Sequence, residues 1–257
     1  MAEFILTPES KKDGIYFLSE INNGFENIYL RVRENENRIY STKELEKLPF
    51  ASDSNQHKQE WDLRAKSFLR LKEYLRTKKE DLNILDLGCG NSWLCGQLLK
   101  VFNFKFYCID VNLTELKQGR NTFKSERIKF IYADIFNSHI PHATFDIVIL
   151  NAAVQYFPDI KKLFNRLSNL LNDTGEIHII DSPFYSRDEV SKAKNRTMDY
   201  YQSINFPEMA EYYHHHAIDE LLEFNYQILY LPNSTSNRLK RLFSFKNSPF
   251  PWIRIIK

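Results

Sequence analysis

The chain of 257 residues is 43% hydrophobic and 26% charged, with only 7 Gly and 9 Pro, which excludes collagen-like, low-complexity and mostly disordered classes. One large domain, or one domain with a small appendage, buries a sizeable core at this length without disulfide or metal staples. Lys and Arg number 35 against 33 acids, a net charge of +2, too balanced for a dedicated duplex binder, so nucleic acid is not expected as a partner.

In chain order, the apolar-alternating pieces Gly14 to Leu18 and Asn27 to Arg33, then the polar turn at 34–37 and Arg38 to Tyr40, predict a small β-meander or hairpin. From Gln59 to Leu75, Trp61, Leu63, Phe68, Leu71, Tyr74 and Leu75 recur at mostly helical spacing, which predicts an amphipathic helix leading into the main domain. Short apolar strands are then expected at Leu82 to Leu87, Phe104 to Val111, Ile128 to Ile135, Phe145 to Leu150 and Glu176 to Ile180. Between them lie helix-length segments at Trp93 to Phe102, Leu113 to Phe123 and Ile160 to Leu171. Repeated βα units imply a doubly wound, mostly parallel sheet with right-handed crossovers. The segment from Ser182 to His216 interrupts the alternation with a mixture of polar and aromatic residues. It is read as a helical lid or recognition insertion, with a helical pair packed on the sheet as the alternative. A helix around Ala217 to Phe224 and strands at Tyr226 to Leu231 and Trp252 to Ile256 complete the chain. The organisation expected is an N-terminal β-hairpin and linker over 1–58 and an α/β domain over 59–257, with the insertion at 182–216.

Cys89, Cys95 and Cys108 form no CxxC pair and no Cys/His set with zinc spacing, so no metal is expected and the count fits a reduced cytosol. The N-terminus lacks the basic start and long apolar run of a signal peptide, and no stretch approaches the roughly 20 apolar residues of a membrane span. The expectation is a soluble cytoplasmic protein.

The chemistry is concentrated where strands end. Asn83-Ile84-Leu85-Asp86-Leu87-Gly88-Cys89-Gly90-Asn91-Ser92 runs from a buried strand through a tight turn into a helix. Gly88 and Gly90 permit unusual backbone angles and the close approach of a ligand; Asp86 can accept hydrogen bonds from a cationic amino group, and Asn91 or Ser92 can cap the helix. Asp110, with Val111 beside it, ends the next strand, where a carboxylate can bind both hydroxyls of a ribose. Asp134 ends the strand after that, and its carboxylate with the Ile135 N–H can read an adenine edge. Acids at successive strand ends describe a nucleoside pocket. A GxGxxG run, which a nicotinamide enzyme would carry, is absent.

On these residues the chain resembles the class I S-adenosylmethionine-dependent methyltransferases across roughly residues 60–257. Asp86-Leu87-Gly88-Cys89-Gly90 matches the family's DxGxG core, and the family's acids after the second and third strands map onto Asp110 and Asp134. The resemblance implies a seven-stranded Rossmann-like sheet with a reversed final strand, S-adenosylmethionine as cofactor, and the stretch after the fourth strand between the cofactor's methionine portion and the acceptor. Asn151 and Gln155 are candidates there. Where the family often has a third glycine, this chain has Ser92.

Consecutive His214, His215 and His216 point in different directions on any regular element, so they cannot readily share one metal. His215 or His216 is a candidate base or acceptor ligand, with ordinary packing as the competing role, and Tyr156 is a further catalytic candidate. Trp61 and Arg64 are candidates to cover the cofactor, with ordinary packing of an amphipathic helix as the equal alternative. After the fourth strand stands Asn151-Ala152-Ala153-Val154 rather than the Asn/Asp-Pro-Pro-Tyr/Phe signature of base or glutamine N-methylation. That argues against adenine and glutamine N-methylation, and the aromatic insertion suggests an enclosed small or medium organic acceptor, methylated on oxygen or carbon; a non-catalytic cofactor-binding subunit and another transferase on the same fold are the alternatives. Residues up to about Asn55 are open to an acceptor-pocket, homodimer or partner-docking role.

Overall fold

A computed structural model describes residues 4, 6–232 and 247–257. The chain forms β1 (Lys11–Lys12), β2 (Ile15–Phe17), α1 (Asn23–Asn35), α2 (Thr42–Leu45), α3 (Lys58–Leu75), β3 (Asn83–Leu87), α4 (Trp93–Leu99), β4 (Lys105–Asp110), α5 (Leu113–Thr122), β5 (Ile128–Tyr132), β6 (Phe145–Asn151), α6 (Ile160–Leu170), β7 (Leu171–Ile180), α7 (Arg187–Ser203), β8 (Tyr226–Tyr230) and β9 (Trp252–Ile256). These strands make one sheet in the order β1-β2-β5-β4-β3-β6-β7-β9-β8. Pairing is parallel from β2 to β7, and β9 is antiparallel to both β7 and β8.

The pleat divides the sheet between two cores. Along β3, Ile84 faces the core shared with Leu71 and Leu75 of α3 and Leu94 and Leu98 of α4, whereas Leu85 and Leu87 face the one shared with α6. Helix α6 turns Leu163, Phe164 and Leu167 inward, all completely buried, the pattern of a 3.6-residue period on one face. Each such side chain contributes roughly 1.5–3 kcal/mol by leaving water. Asp159 caps this helix by accepting the Lys162 N–H at 2.8 Å. Strand β3 has β4 on one side and β6 on the other, so the strand order reverses there. A crevice opens at the carboxyl ends of the strands at such a point, and ligands bind in it.

The sheet has nine strands among the described residues rather than the expected seven, because β1 and β2 extend it beyond β5. A second correction concerns Asn27 to Arg33, which lies within α1 and is not a strand. Asn22 caps that helix by accepting the Gly24 N–H at 3.1 Å. Val32 is buried against Tyr201 and Met209, with Phe25, Ile28 and Tyr29 beside it. The apolar residues thus serve one helical face, and the apparent alternation is incidental. Arg38 to Tyr40 forms no strand either; Tyr40 is buried and its hydroxyl accepts the Trp61 indole N–H at 2.9 Å. The 182–216 insertion is helical, formed by α7 and a 3-10 turn at Pro207–Tyr212. Residues Ile218–Glu223 form a 3-10 turn as well. Strand β7 begins five residues earlier than Glu176, continuing directly from α6. No helix among the described residues is long and apolar enough to cross a membrane.

Candidate active site

The turn after β3 is built for close approach. Gly88 and Gly90 have φ of +71° and +52°, and a Cβ on Gly88 would lie 2.7 Å from the Ala153 Cβ. The Gly88 N–H donates to the Ile109 carbonyl at 2.8 Å, which ties the turn to the end of β4. Ser92 adopts φ +60°, a left-handed conformation that glycine takes at no steric cost, which explains why a glycine is common there. Its hydroxyl makes no capping bond; Asn91 Oδ1 accepts the Trp93 N–H at 3.4 Å instead.

A cavity of about 380 Å3 opens over this turn. Its wall includes Gly88, Cys89, Gly90, Asn91, Asp110, Val111, Asp134, Ile135, Asn151 and Tyr156, and with them the covering candidates Trp61 and Arg64. Asp110 is held by backbone donors: Gly90 N–H reaches one oxygen at 2.7 Å and Asn112 N–H the other at 2.8 Å. Burial outweighs these bonds and raises its pKa above the ordinary carboxylate range. Asp134 accepts the Phe136 N–H at 2.9 Å and the Asn137 amide at 2.6 Å, while Ser19 Oγ accepts the Asp134 N–H at 3.0 Å.

Other candidates lie off the cavity wall. Asp86 is buried beneath the turn, where Cys95 Sγ donates to one oxygen at 3.4 Å and the other, Oδ1, has no partner. Burial pushes this carboxyl up to about 7. Gln155 is also buried, donating to the Ala152 carbonyl at 2.6 Å, with its Oε1 unpartnered. His216 is buried with Nε2 3.3 Å from the Val154 carbonyl, and His215 sits against Tyr185, Tyr213 and the Thr197 hydroxyl. Burial lowers the pKa of both rings.

The spacing of the cysteines in sequence conceals a cluster. One ligand atom each from Asp86, Cys95 and Cys108 lies within 4.8 Å of the others, and Cys89 is buried nearby. Burial raises all three thiols, so they pack as neutral groups and Cys95 supplies Asp86 with a hydrogen bond.

Helix α1 contributes what the strand reading of this region missed. Phe25, Tyr29 and Arg33, each four residues after the last, face the cavity. Arg33 lies 4.7 Å from the Tyr29 ring centroid and donates to the Tyr156 hydroxyl at 3.3 Å and to Glu36 at 2.9 Å. Burial opposes the charge of Arg33, but Tyr29, Tyr156 and Glu36 outweigh it and raise its pKa. Burial likewise raises the Tyr29 phenol, which stays protonated. Tyr212, from the 3-10 turn of the insertion, packs at a tilt against Phe25 with 5.4 Å between centroids. Glu115 of α5 was also missed, although Asn112-x-x-Glu115 has helix-capping spacing. Asn112 accepts the Glu115 N–H at 3.0 Å.

A mostly parallel sheet whose switch point carries a glycine turn and strand-end acids is the arrangement of the methyltransferase class of α/β fold, here with β1 and β2 added at one edge. The family pattern described as "Methyltransferase domain" matches residues 78–247, and the chain belongs to the class I S-adenosylmethionine-dependent methyltransferases. An uncharacterized methyltransferase of Mycobacterium tuberculosis is 28% identical over 97 residues, 38% of this chain and 49% of that protein. A malonyl-[acyl-carrier protein] O-methyltransferase of Ilyobacter polytropus is 30% identical over 110 residues, covering 42% of this chain and 41% of its own length. The match therefore spans about half the length of these curated relatives, or less. Among solved structures, the YcgJ protein of Bacillus subtilis superposes with a TM-score of 0.55 at 14% identity, over 74% of this chain and 97% of that one.

Proposed function

We propose that this protein transfers the methyl group of S-adenosylmethionine to a small or medium organic acceptor, on oxygen or carbon. The observation that carries the reading is the convergence of the Gly88–Gly90 turn, Asp110 and Asp134 on one cavity. The residues fit the cofactor: the glycines leave room that a Cβ would fill, and Asp110 and Asp134 offer acceptors to ribose hydroxyls and an adenine amino group. The unpartnered Asp86 Oδ1 is buried at the end of β3 and off the cavity wall, so it would act on the cofactor's ammonium as a nearby charge rather than by direct contact. When bound, the sulfonium supplies an activated methyl group, and the protein's task is to hold the acceptor in line with it.

Among the described residues no histidine lines the cavity, whereas Arg33, Arg38 and Arg64 do. An acceptor oxygen that is already ionised at neutral pH, such as a carboxylate, needs no base and is attracted by the positive charge that these three guanidinium groups keep in excess of their ion-pair partners Glu36 and Glu60. The likeness to an O-methyltransferase supports the same branch. Tyr156 and Arg33 are then the groups that orient the acceptor.

The test incubates the protein with isotopically methyl-labelled S-adenosylmethionine and a panel of carboxylates, phenols and β-dicarbonyl compounds, read by mass spectrometry. The expected result is a labelled ester or ether, or a carbon-methylated dicarbonyl compound. Cofactor binding without label transfer to any acceptor, together with a co-purifying second chain, would favour a non-catalytic cofactor-binding subunit instead.

A further inference from the structure

Around the end of β4 three carboxylates gather, and their hydrogen bonding is unequal. Glu26 of α1, although buried, has one oxygen that accepts both the Thr114 N–H at 2.9 Å and its hydroxyl at 2.8 Å. Asp110 receives a backbone N–H on each oxygen. Glu115 has only the Asn112 side-chain amide, at 3.5 Å. Its carboxylate faces the cavity beside the glycine turn, so close that a Cβ on Gly90 would lie 2.9 Å from its Oε2. Burial, then the neighbouring Asp110 charge, pushes its carboxyl up to about 7. A carboxylate so placed gains from any ligand that brings it a donor.

We propose that Glu115 is a second ribose-binding carboxylate, accepting one hydroxyl of the cofactor's diol while Asp110 accepts the other. The inference rests on the cofactor reading above. A vicinal diol offers two O–H donors, and Asp110, already bonded by Gly90 and Asn112, has a fixed orientation. Splitting the diol between the two side chains gives Glu115 its missing donor and draws the Gly90 turn, Asp110 and the start of α5 onto one ligand group. A glutamine retains the carbonyl acceptor but not the charge.

The test is calorimetric titration of the wild-type protein, Glu115→Gln, Glu115→Asp and Asp110→Asn with S-adenosylhomocysteine, S-adenosylmethionine, and the 2′-deoxy and 3′-deoxy forms of S-adenosylhomocysteine. Thermal melting checks that each variant is folded. Glu115→Gln is expected to weaken both natural ligands about tenfold, the scale of a hydrogen bond to a charged group. That loss should vanish with one deoxy ligand, and the Asp110→Asn loss with the other. Wild-type affinity in folded Glu115→Gln and Glu115→Asp, or an equal loss with every ligand, overturns the assignment. A loss confined to S-adenosylmethionine also overturns it, since only the sulfonium distinguishes that ligand. If the wild type binds neither natural ligand, the cofactor reading itself fails, an outcome distinct from these.

Discussion

Two regions bound the same cavity and are built by opposite means. The floor, at the ends of β3, β4 and β5, is fixed by backbone: Gly90 and Asn112 N–H groups hold Asp110, and Ile109 holds Gly88. The cover, α1 with the 3-10 turn of the insertion, is held by side chains: Phe25 lies 5.4 Å from both Tyr29 and Tyr212, and Tyr29 lies 5.9 Å from Tyr156. Glu26 on Thr114 and the Asn22 N–H on the Tyr132 hydroxyl, at 2.9 Å, anchor the cover to the floor. A backbone-built floor tolerates little change and suits a fixed ligand, whereas a side-chain cover can be rebuilt around different acceptors. Under the proposed function the floor is expected to set cofactor affinity and the cover to set turnover.

The sharpest way to break the comparison is at the floor. Gly88→Val puts a branched side chain at φ +71° and against Ala153, so loss of detectable cofactor binding and a stability loss of about 1–3 kcal/mol in denaturant titration are expected. Next comes the cover: Arg33→Ala should cut methyl transfer at least roughly tenfold, by removing charge-assisted bonds to the acceptor, with cofactor affinity changed only slightly. Equal losses in both quantities would merge the two regions.

Acidity sharpens the contrast further. Burial raises Asp86 and Glu115 to about 7 in the free protein. A ligand that brings them donors or positive charge favours the ionised forms and lowers those values. Below about pH 7 a proton must then be released on binding, so affinity for S-adenosylhomocysteine is full above pH 7 and falls as pH drops through it. The titratable and charged groups facing Glu115 are Asp110, Glu26, Tyr29 and Arg33. Calorimetry from pH 6 to pH 8 on the wild type and Glu115→Gln separates its share of the slope from that of Asp86. The smallest effect belongs to His215→Ala: the ring touches Tyr185, Tyr213 and Thr197 and does not line the cavity. Its affinity for S-adenosylhomocysteine should stay within about twofold, as for changes away from a binding site.

The floor was legible in the sequence because its signals are local. A glycine turn after an apolar strand and an acid at each following strand end place Gly88, Gly90, Asp110 and Asp134 with no knowledge of distant contacts. The cover was not, because Ile28, Leu30 and Val32 alternate as a strand would, yet Phe25, Tyr29 and Arg33 also fit a helix. What decides is tertiary packing: Val32 meets Tyr201 and Met209, which lie about 170 residues away in sequence. The extra strands β1 and β2 are too short to announce their place, and only their pairing with β5 makes them part of the sheet. Asp86 and Gln155 show the limit of motif reading, since a motif places a residue along the strand end but not the direction of its side chain, and both are buried off the cavity wall.

The most direct test of the account is calorimetric titration of the purified protein with S-adenosylmethionine and S-adenosylhomocysteine, beside Asp110→Ala. Binding of both ligands, weakened roughly 10- to 100-fold by removing the carboxylate, is the predicted result. Absence of heat and of thermal stabilisation with either ligand, or wild-type affinity in Asp110→Ala, would contradict it.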